Sequence, residues 1–500
     1  MSNLIVSDKL DDVSPSFCLA KWNMVSLHLT NGKTHSCYHN PTHDIPLPDL
    51  ENNPAVLHNT NQKLKERKQM RNGERPSGCS YCWKVEDLGH KSDRHYRADE
   101  WWNREDFESI RDNVELDSTI TPAYIEVNFN QACNFKCMYC SPHLSTSWEE
   151  EIKEHGAYIF SDGSQHNNIQ ALERLNLMPK KLAQKENPYV QAFWKWWPEI
   201  YNNLKIFRMT GGEPLMDKNT FKVLDYAFKR PNSDLEISIT SNMCPPKQEL
   251  FDKFIDKIKK IETIKVWNDD TKVNKNTGNH FFVSPSIKHL TLYISCDTVG
   301  EQAEYLRTGL DFQRMQDNTV KFLDESYNSN ISIINTFNIL SIPKLKEFLE
   351  WVLFLRERYS YENQKTVILP VPDREGFKHP NFTKPKNPRI FFDTPILSSP
   401  DWFNIKLGSE FEFFRSKMLE CIDFMEENLT MGNYTGFEQY EIDKVKRNYD
   451  HMMEHMDDDR RKRCKRNFIT FIDERDRRRN SNFIEVFPEL EFFYKALKND

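Results

Sequence analysis

The segment Ile125–Cys140, IEVNFNQACNFKCMYC, carries the reading that decides the fold. It opens as an apolar run of the kind that forms a buried strand and passes without a break into Cys133-x3-Cys137-x2-Cys140. The three thiols are therefore expected on a loop at a strand's C-terminal end, where parallel barrels assemble their chemistry. Similar runs recur along the chain: AYIEVNF (123–129), LKIFRMT (204–210), LEISIT (235–240), HLTLYIS (289–295), ISIINTF (331–337) and TVILPV (366–371). Alternating with helix-length segments, they predict an α/β fold with a partial parallel (β/α)6 TIM-like barrel over 120–372. Two insertions interrupt it, one near 150–200 with Trp194, Trp196 and Trp197, and a polar one near 264–286.

At 500 residues the chain exceeds the usual single core, so smaller regions are expected on either side of the barrel. Residues 1–100 are rich in Asn, His, Pro and Cys and read as a small loop-rich unit stapled by metal. Near its start, Val25, Leu27 and Leu29 alternate ahead of Asn31-Gly32, a dipeptide suited to a tight hairpin turn. Residues 400–500 read as helical, with Phe411, Phe413, Phe414 and Met418 followed by the mixed-charge stretch from Asp457 to Arg479.

No stretch approaches the roughly 20 apolar residues that span a bilayer, and the N-terminus lacks the basic start and apolar block of a secretory signal. The expectation is a soluble, cytoplasmic protein without a membrane partner. The net charge of -7 argues against a general nucleic-acid-binding surface. Eleven cysteines in such a chain are metal ligands or free thiols rather than a disulfide framework. Cys244, Cys296, Cys421 and Cys464 lack chelating spacing and are expected to fill cores.

Four cysteines saturate a [4Fe-4S] cluster, whereas three leave one iron open to a substrate or cofactor; structural zinc normally takes four ligands, with paired C-x2-C units. The triplet Cys133, Cys137 and Cys140 fits the open cluster. With Tyr139 before the last cysteine and its position after the first strand, the motif resembles the radical S-adenosylmethionine (SAM) superfamily. The resemblance implies that the open iron chelates SAM, whose reductive cleavage yields a 5'-deoxyadenosyl radical that abstracts a substrate hydrogen. It also implies an external electron donor such as flavodoxin or ferredoxin.

Downstream, LKIFRMT ends in Gly211-Gly212-Glu213-Pro214, where glycines admit close backbone approach and a carboxylate can accept from an ammonium. In the family this turn binds the methionine amino group. The third strand ends with Thr240 and Asn242, and the fourth with Ser295 and Asp297; residues two apart share a strand face, so each pair is expected at the barrel mouth. The resemblance assigns Ser295 and Asp297 to the ribose region and Arg307, in YLRTG, to the SAM carboxylate. The adenine-contacting residues stay open.

Cys18, Cys37, Cys79 and Cys82 form a second group, closed by a C-x2-C pair. Four thiolates complete either a [4Fe-4S] cluster or a zinc site, and spacing does not separate the two. CLAKW (18–22), the NGK turn and GERPSGCSYCWKVEDLG (73–89) look like the auxiliary-cluster module of SPASM/twitch-type radical SAM proteins, which implies iron-sulfur. Tyr38 stands where many such relatives have another cysteine. DRRRNSNFIEVFPELEFF (476–493) also resembles the tail of these relatives.

Phe468, Phe471 and Ile472 recur at helical spacing within the basic C-terminal run, favouring a helix packed on the barrel over a nucleic-acid arm. The tryptophans at 194–197 read as packing or lid elements. The whole therefore reads as a radical SAM oxidoreductase or modifying enzyme of unknown substrate, with a peptide as the class the resemblance suggests. The alternative is a zinc-stapled interaction or nucleic-acid-binding protein without SAM chemistry.

Overall fold

In the computed structural model the described residues are 5–180, 187–262, 265–268, 281–284, 286–326, 328–359 and 389–499. They fall into two compact units: Met1–Gln131 with Met178–Gly211 and Asn232–Ser238, and Ala132–Leu177 with Gly212–Pro231 and Ile239–Asp500. Both are α/β with mostly parallel strand pairing.

The first unit begins with the expected hairpin, β1 (Met24–His28) against β2 (Lys33–His35), continued by β3 (His43–Asp44). Gly32 closes the turn at φ 72°, and a Cβ there would lie 2.1 Å from the Tyr189 ring, so both dihedral and space demand glycine. β1 then pairs in parallel with β4 (Tyr124–Asn128), Met24 opposite Tyr124, and β4 with β5 (Ile206–Thr210). The hairpin is thus an extension of the parallel sheet, an attachment that local pattern does not encode. β1 is buried on both faces, as parallel strands are. The helix Pro188–Ile200 packs Trp196 and Trp197 into this unit's core with Phe193 and Phe207, which bears out the packing role of the tryptophans.

β6 (Asn232–Ser241) belongs to the first unit through Ser238, and its last three residues belong to the second. There β7 (Ile287–Ser295), β8 (Ser329–Ile334) and β9 (Ile390–Asp393) pair in parallel order, Leu290 opposite Ser329 and Ile331 opposite Ile390. Leu290, Leu292 and Ile294 are buried on one face of β7, while Thr291, Tyr293 and Ser295 share the other. Five of the six expected runs are thus strands. TVILPV lies outside the described residues, as does most of the 264–286 insertion, of which the ladder Lys265–Asn268 against Phe281–Ser284 is described. β9 has no counterpart in the sequence expectation: its four residues are too short to raise a periodic signal.

Beyond residue 400 the chain is helical as expected, with α1 (Glu412–Glu427), α2 (Gln439–Met453) and α3 (Asp458–Arg479). Phe468, Phe471 and Ile472 are buried on α3, and Cys244, Cys296, Cys421 and Cys464 are buried as core fillers. No helix among the described residues is long and apolar enough to cross a membrane.

Arg356 ties this helical region to the sheet. Its guanidinium meets Glu441 through two bonds of 2.7 and 2.9 Å, reaches the Ile390 carbonyl, and lies over the rings of Phe392 and Phe437. Replacing Arg356 by Met leaves Glu441 buried without its cation and is expected to cost about 3–5 kcal/mol of unfolding free energy. The double variant Arg356→Met/Glu441→Leu should recover most of that loss in equilibrium urea unfolding. Equal losses in both would show that the uncompensated charge is not the cause.

Candidate active site

The cysteine loop lies within the second unit, anchored by Phe135 and Met138, each 1% exposed. Lys136–Cys137 forms a short antiparallel ladder with Arg307–Thr308, and the Met138 amide donates to the Leu306 carbonyl (2.9 Å). Side chains hold the carbonyls of all three cysteines. Thr146 and Ser147 hydroxyls donate to that of Cys133 (3.0 and 2.9 Å), Trp148 Nε1 to that of Cys137 (2.8 Å) and Asn167 Nδ2 to that of Cys140 (3.2 Å). Because the loop is fixed through its backbone, the thiols remain available for ligation.

All three cysteines are free, and as residues they are half-buried. Burial pushes Cys133 and Cys137 up and Cys140 to about 12, so each stays protonated unless a metal takes it. The Phe135 amide points at Cys133 Sγ (3.4 Å) and Arg307 Nη1 at Cys137 Sγ (3.5 Å), donors that suit sulfurs carrying negative charge. Among the described residues no three His, Cys, Asp or Glu side chains converge on one point as a single metal ion requires. A [4Fe-4S] cluster makes no such demand, since different irons take different thiolates. The donor set fits a cluster.

Asp297, Arg307 and Tyr139 come together next to Cys137. The Asp297 carboxylate is fully buried and accepts from Arg307 Nε (2.9 Å) and Nη2 (3.0 Å), the Tyr139 hydroxyl (2.9 Å) and the Thr336 amide (2.9 Å). Burial holds the Tyr139 phenol pKa well up, which keeps it a donor. Ser295 ends β7 on the face of Thr291 and Tyr293, and Asp297 follows on the loop. Thr240 Oγ1, Thr298 Oγ1 and Asn335 Oδ1 are buried without a hydrogen-bond partner, each a cost of about 1–3 kcal/mol that a polar ligand can offset. Thr240 is one of the expected residues; Thr298 and Asn335 were missed, lying just past strand ends where the period of two no longer assigns a face.

Glu213 is 1% exposed, and its amide donates to the Ala132 carbonyl (2.7 Å), which ties the glycine turn to the cysteine loop. Its carboxylate accepts from the Asn242 amide (2.7 Å), Ser241 Oγ (2.9 Å) and the Leu215 amide (3.0 Å). Burial raises its pKa to about 7. The side chain of Asn242 is occupied elsewhere, accepting from the Cys244 amide (2.8 Å) and donating to Asn134 (3.1 Å). Ser241, between the two expected residues, is therefore the hydroxyl that meets Glu213. In the first unit, Gly211 has φ 121°, and a Cβ there would stand 2.5 Å from Asn128 Oδ1, so close approach requires glycine.

The basic tail contributes where no local signal pointed. Arg479 pairs with Glu151 (3.0 Å) and donates to the Lys136 carbonyl (3.1 Å) and Thr308 Oγ1 (2.9 Å). Arg475 donates to the Tyr305 carbonyl (2.7 Å), and Arg478 to that of Gly156 (2.9 Å). Against burial, Arg479 holds the Glu151 carboxylate down at about 2. Arg479 braces both strands of the ladder at Cys137, and Arg475 adds a bond to Thr308 Oγ1 (3.2 Å).

In the first unit Cys18, Cys37, Cys79 and Cys82 line one small cavity of about 20 Å³. Burial raises Cys18 to about 12, reinforced by the other three thiols, so the four are electrostatic neighbours. Donor number and enclosure fit a fully ligated cluster.

No family model matches the chain. Over 129 residues it is 25% identical to a GTP 3',8-cyclase of Campylobacter lari, a match covering 26% of this chain and 30% of that relative's length. Two solved structures show weak likeness. Native anSMEcpe with bound AdoMet gives a TM-score of 0.30 at 13% identity, over 61% of this chain and 60% of that one. Streptococcus suis SuiB bound to the precursor peptide SuiA gives 0.25 at 11%, over 67% and 60%. The braced three-cysteine loop, with the buried Glu213 turn bonded to it, defines the class of site.

Glu213 supplies a pH test. Its folded-state pKa, about 7, exceeds the ordinary 4.5, so the native state binds more proton across that interval. Its contribution to stability is therefore undiminished below about 4.5 and is lost as pH rises through about 7. In cluster-free protein, the stability of Glu213→Gln relative to the parent is expected to increase between those limits and level off above them. Urea unfolding from pH 4.5 to 8 measures the difference; a pH-independent difference would show that the carboxyl is not shifted.

Proposed function

We propose that this protein is a radical SAM enzyme in which Cys133, Cys137 and Cys140 hold a catalytic [4Fe-4S] cluster, and Cys18, Cys37, Cys79 and Cys82 hold an auxiliary one. When bound, the catalytic cluster supplies the electron that cleaves SAM to methionine and a 5'-deoxyadenosyl radical, which takes a hydrogen from the substrate. The observation that carries the reading is the cysteine loop itself, fixed through three carbonyls while its thiols stay free, with a buried guanidinium against Cys137. Residues 120–372 are read as the partial (β/α)6 barrel, 1–100 as the SPASM/twitch-type module and 400–500 as the helical segment that braces the loop.

The chain's own residues divide the work. Glu213 accepts three bonds from the protein and has acceptor capacity left for the methionine ammonium. Arg307 gives Nε and Nη2 to Asp297 and turns Nη1 toward Cys137, the edge that can meet a SAM carboxylate. Tyr139 donates to Asp297 and keeps the pair aligned. Thr240 offers an unpaired hydroxyl to the cofactor, and Ser295 and Asp297 are assigned to the ribose side. Gly211 and Gly212 let the backbone approach the ligand. The substrate class we assign is a peptide, on the SPASM/twitch resemblance of both ends of the chain, with flavodoxin or ferredoxin as electron donor in the cytoplasm.

Anaerobic reconstitution followed by iron and sulfide analysis and dithionite-driven SAM cleavage tests the reading. The native chain is expected to hold about eight irons and release 5'-deoxyadenosine, while the variant with Cys133, Cys137 and Cys140 all changed to Ala holds about four and releases none. Zinc without SAM cleavage in the native chain would overturn it.

A further inference from the structure

The four-cysteine cavity contains a buried cation that the proposed chemistry leaves unused. Lys21, 2% exposed, lines the cavity with all four thiols, and its amide donates to the Cys18 carbonyl (2.9 Å). Its ammonium donates to Glu66 (2.5 Å). Asn40 satisfies its neighbours when its oxygen accepts from Lys21 Nζ (2.7 Å) and its amide nitrogen donates to the Gly78 carbonyl (3.2 Å). In that orientation the nitrogen occupies the amide position that lies 3.5 Å from both Cys37 Sγ and Cys79 Sγ. A buried ammonium and an N–H donor thus line the cavity together, the N–H directed at two of the sulfurs. Both favour extra electron density on a cluster bound there, because hydrogen bonds and charge near the sulfurs set its potential.

We propose that Lys21, oriented by Glu66 and Asn40, is a positioning residue that raises the reduction potential of the auxiliary cluster and so makes it the better electron acceptor. The inference rests on the four-cysteine ligand set proposed above. One electron enters the cluster, donated by dithionite in the test and by the substrate radical in turnover. No bond to the protein forms or breaks, and the oxidised partner is the donor.

The test uses full-length protein with Cys133, Cys137 and Cys140 changed to Ala, so that any remaining cluster is the auxiliary one. Iron and sulfide are assayed first; zinc, or no sulfide, would overturn the ligand-set reading itself. With about four irons present, potentiometric titration followed by electron paramagnetic resonance reads the midpoint. Lys21→Met is expected to lower the reduced-to-oxidised ratio at fixed potential about tenfold, a downward shift of about 59 mV for one electron, and Lys21→Arg to restore it. Glu66→Gln, which leaves the ammonium uncompensated and keeps the side-chain shape, is expected to shift the midpoint the other way. An unchanged midpoint in Lys21→Met with a full complement of iron and sulfide would overturn the proposal. If Lys21→Met does not fold, Glu66→Gln decides: a rise supports the proposal, and no change or a fall overturns it.

Discussion

Asp297 is a carboxylate with no exposed surface, and a charge in that position must be met at once by partners or it would not remain charged. Arg307 meets it with two nitrogens, Tyr139 with a hydroxyl and the Thr336 amide with a third kind of donor. Satisfying Asp297 therefore fixes Arg307, and fixing Arg307 fixes the ladder that pairs it with Cys137. Tyr139, two residues after Cys137, is held by the same carboxylate. One desolvated charge thereby orients the middle of a loop that has almost no secondary structure of its own.

A loop held at one point would still pivot, and the second hold comes from far along the chain. Arg479 reaches the Lys136 carbonyl and Thr308 on opposite strands of the ladder, and its charge is balanced by Glu151 on the helix that follows the cysteines. Exposed arginines contribute little through ion pairs, but Arg479 and Glu151 are nearly buried, so losing Glu151 strands the charge of Arg479, while Glu151 has Lys136 as a second partner (2.8 Å). The carbonyl bonds add geometry to charge: a planar guanidinium can span two strands where an ammonium cannot. The C-terminal helix thus acts on the site through packing and hydrogen bonds without supplying a ligand.

What the sequence made legible follows from the range of each signal. Cysteine spacing, the glycine turn and the period-two strands are local, and Cys133, Cys137, Cys140 and Glu213 stand where that spacing put them. The end of β6 shows where local pattern fails: alternation paired Thr240 with Asn242, yet the intervening Ser241 bonds Glu213, because the chain leaves the strand there and the period stops holding. The stretch 457–479 read as a helix packed on the barrel, but the roles of Arg475 and Arg479 were not legible because the carbonyls they reach lie more than 160 residues away. The parallel pairing of β1 with β4 is equally non-local: a hairpin pattern specifies its own partner and says nothing of the neighbour on its other edge.

The two sulfur sites share a charge arrangement, since each has a buried cation nearby and each cation is paired with a carboxylate. At the three-cysteine loop the nearest guanidinium is already neutralised by Asp297, so its net effect on added electron density is small, and the sulfurs face a nearly balanced surrounding. At the four-cysteine cavity Lys21 is likewise paired, with Glu66, and the amide of Asn40 is directed at two of the sulfurs. Field falls with distance and rises as solvent is excluded, so in the cavity the Asn40 amide, 3.5 Å from two sulfurs, and the buried ammonium bonded to that side chain act together on charge placed there.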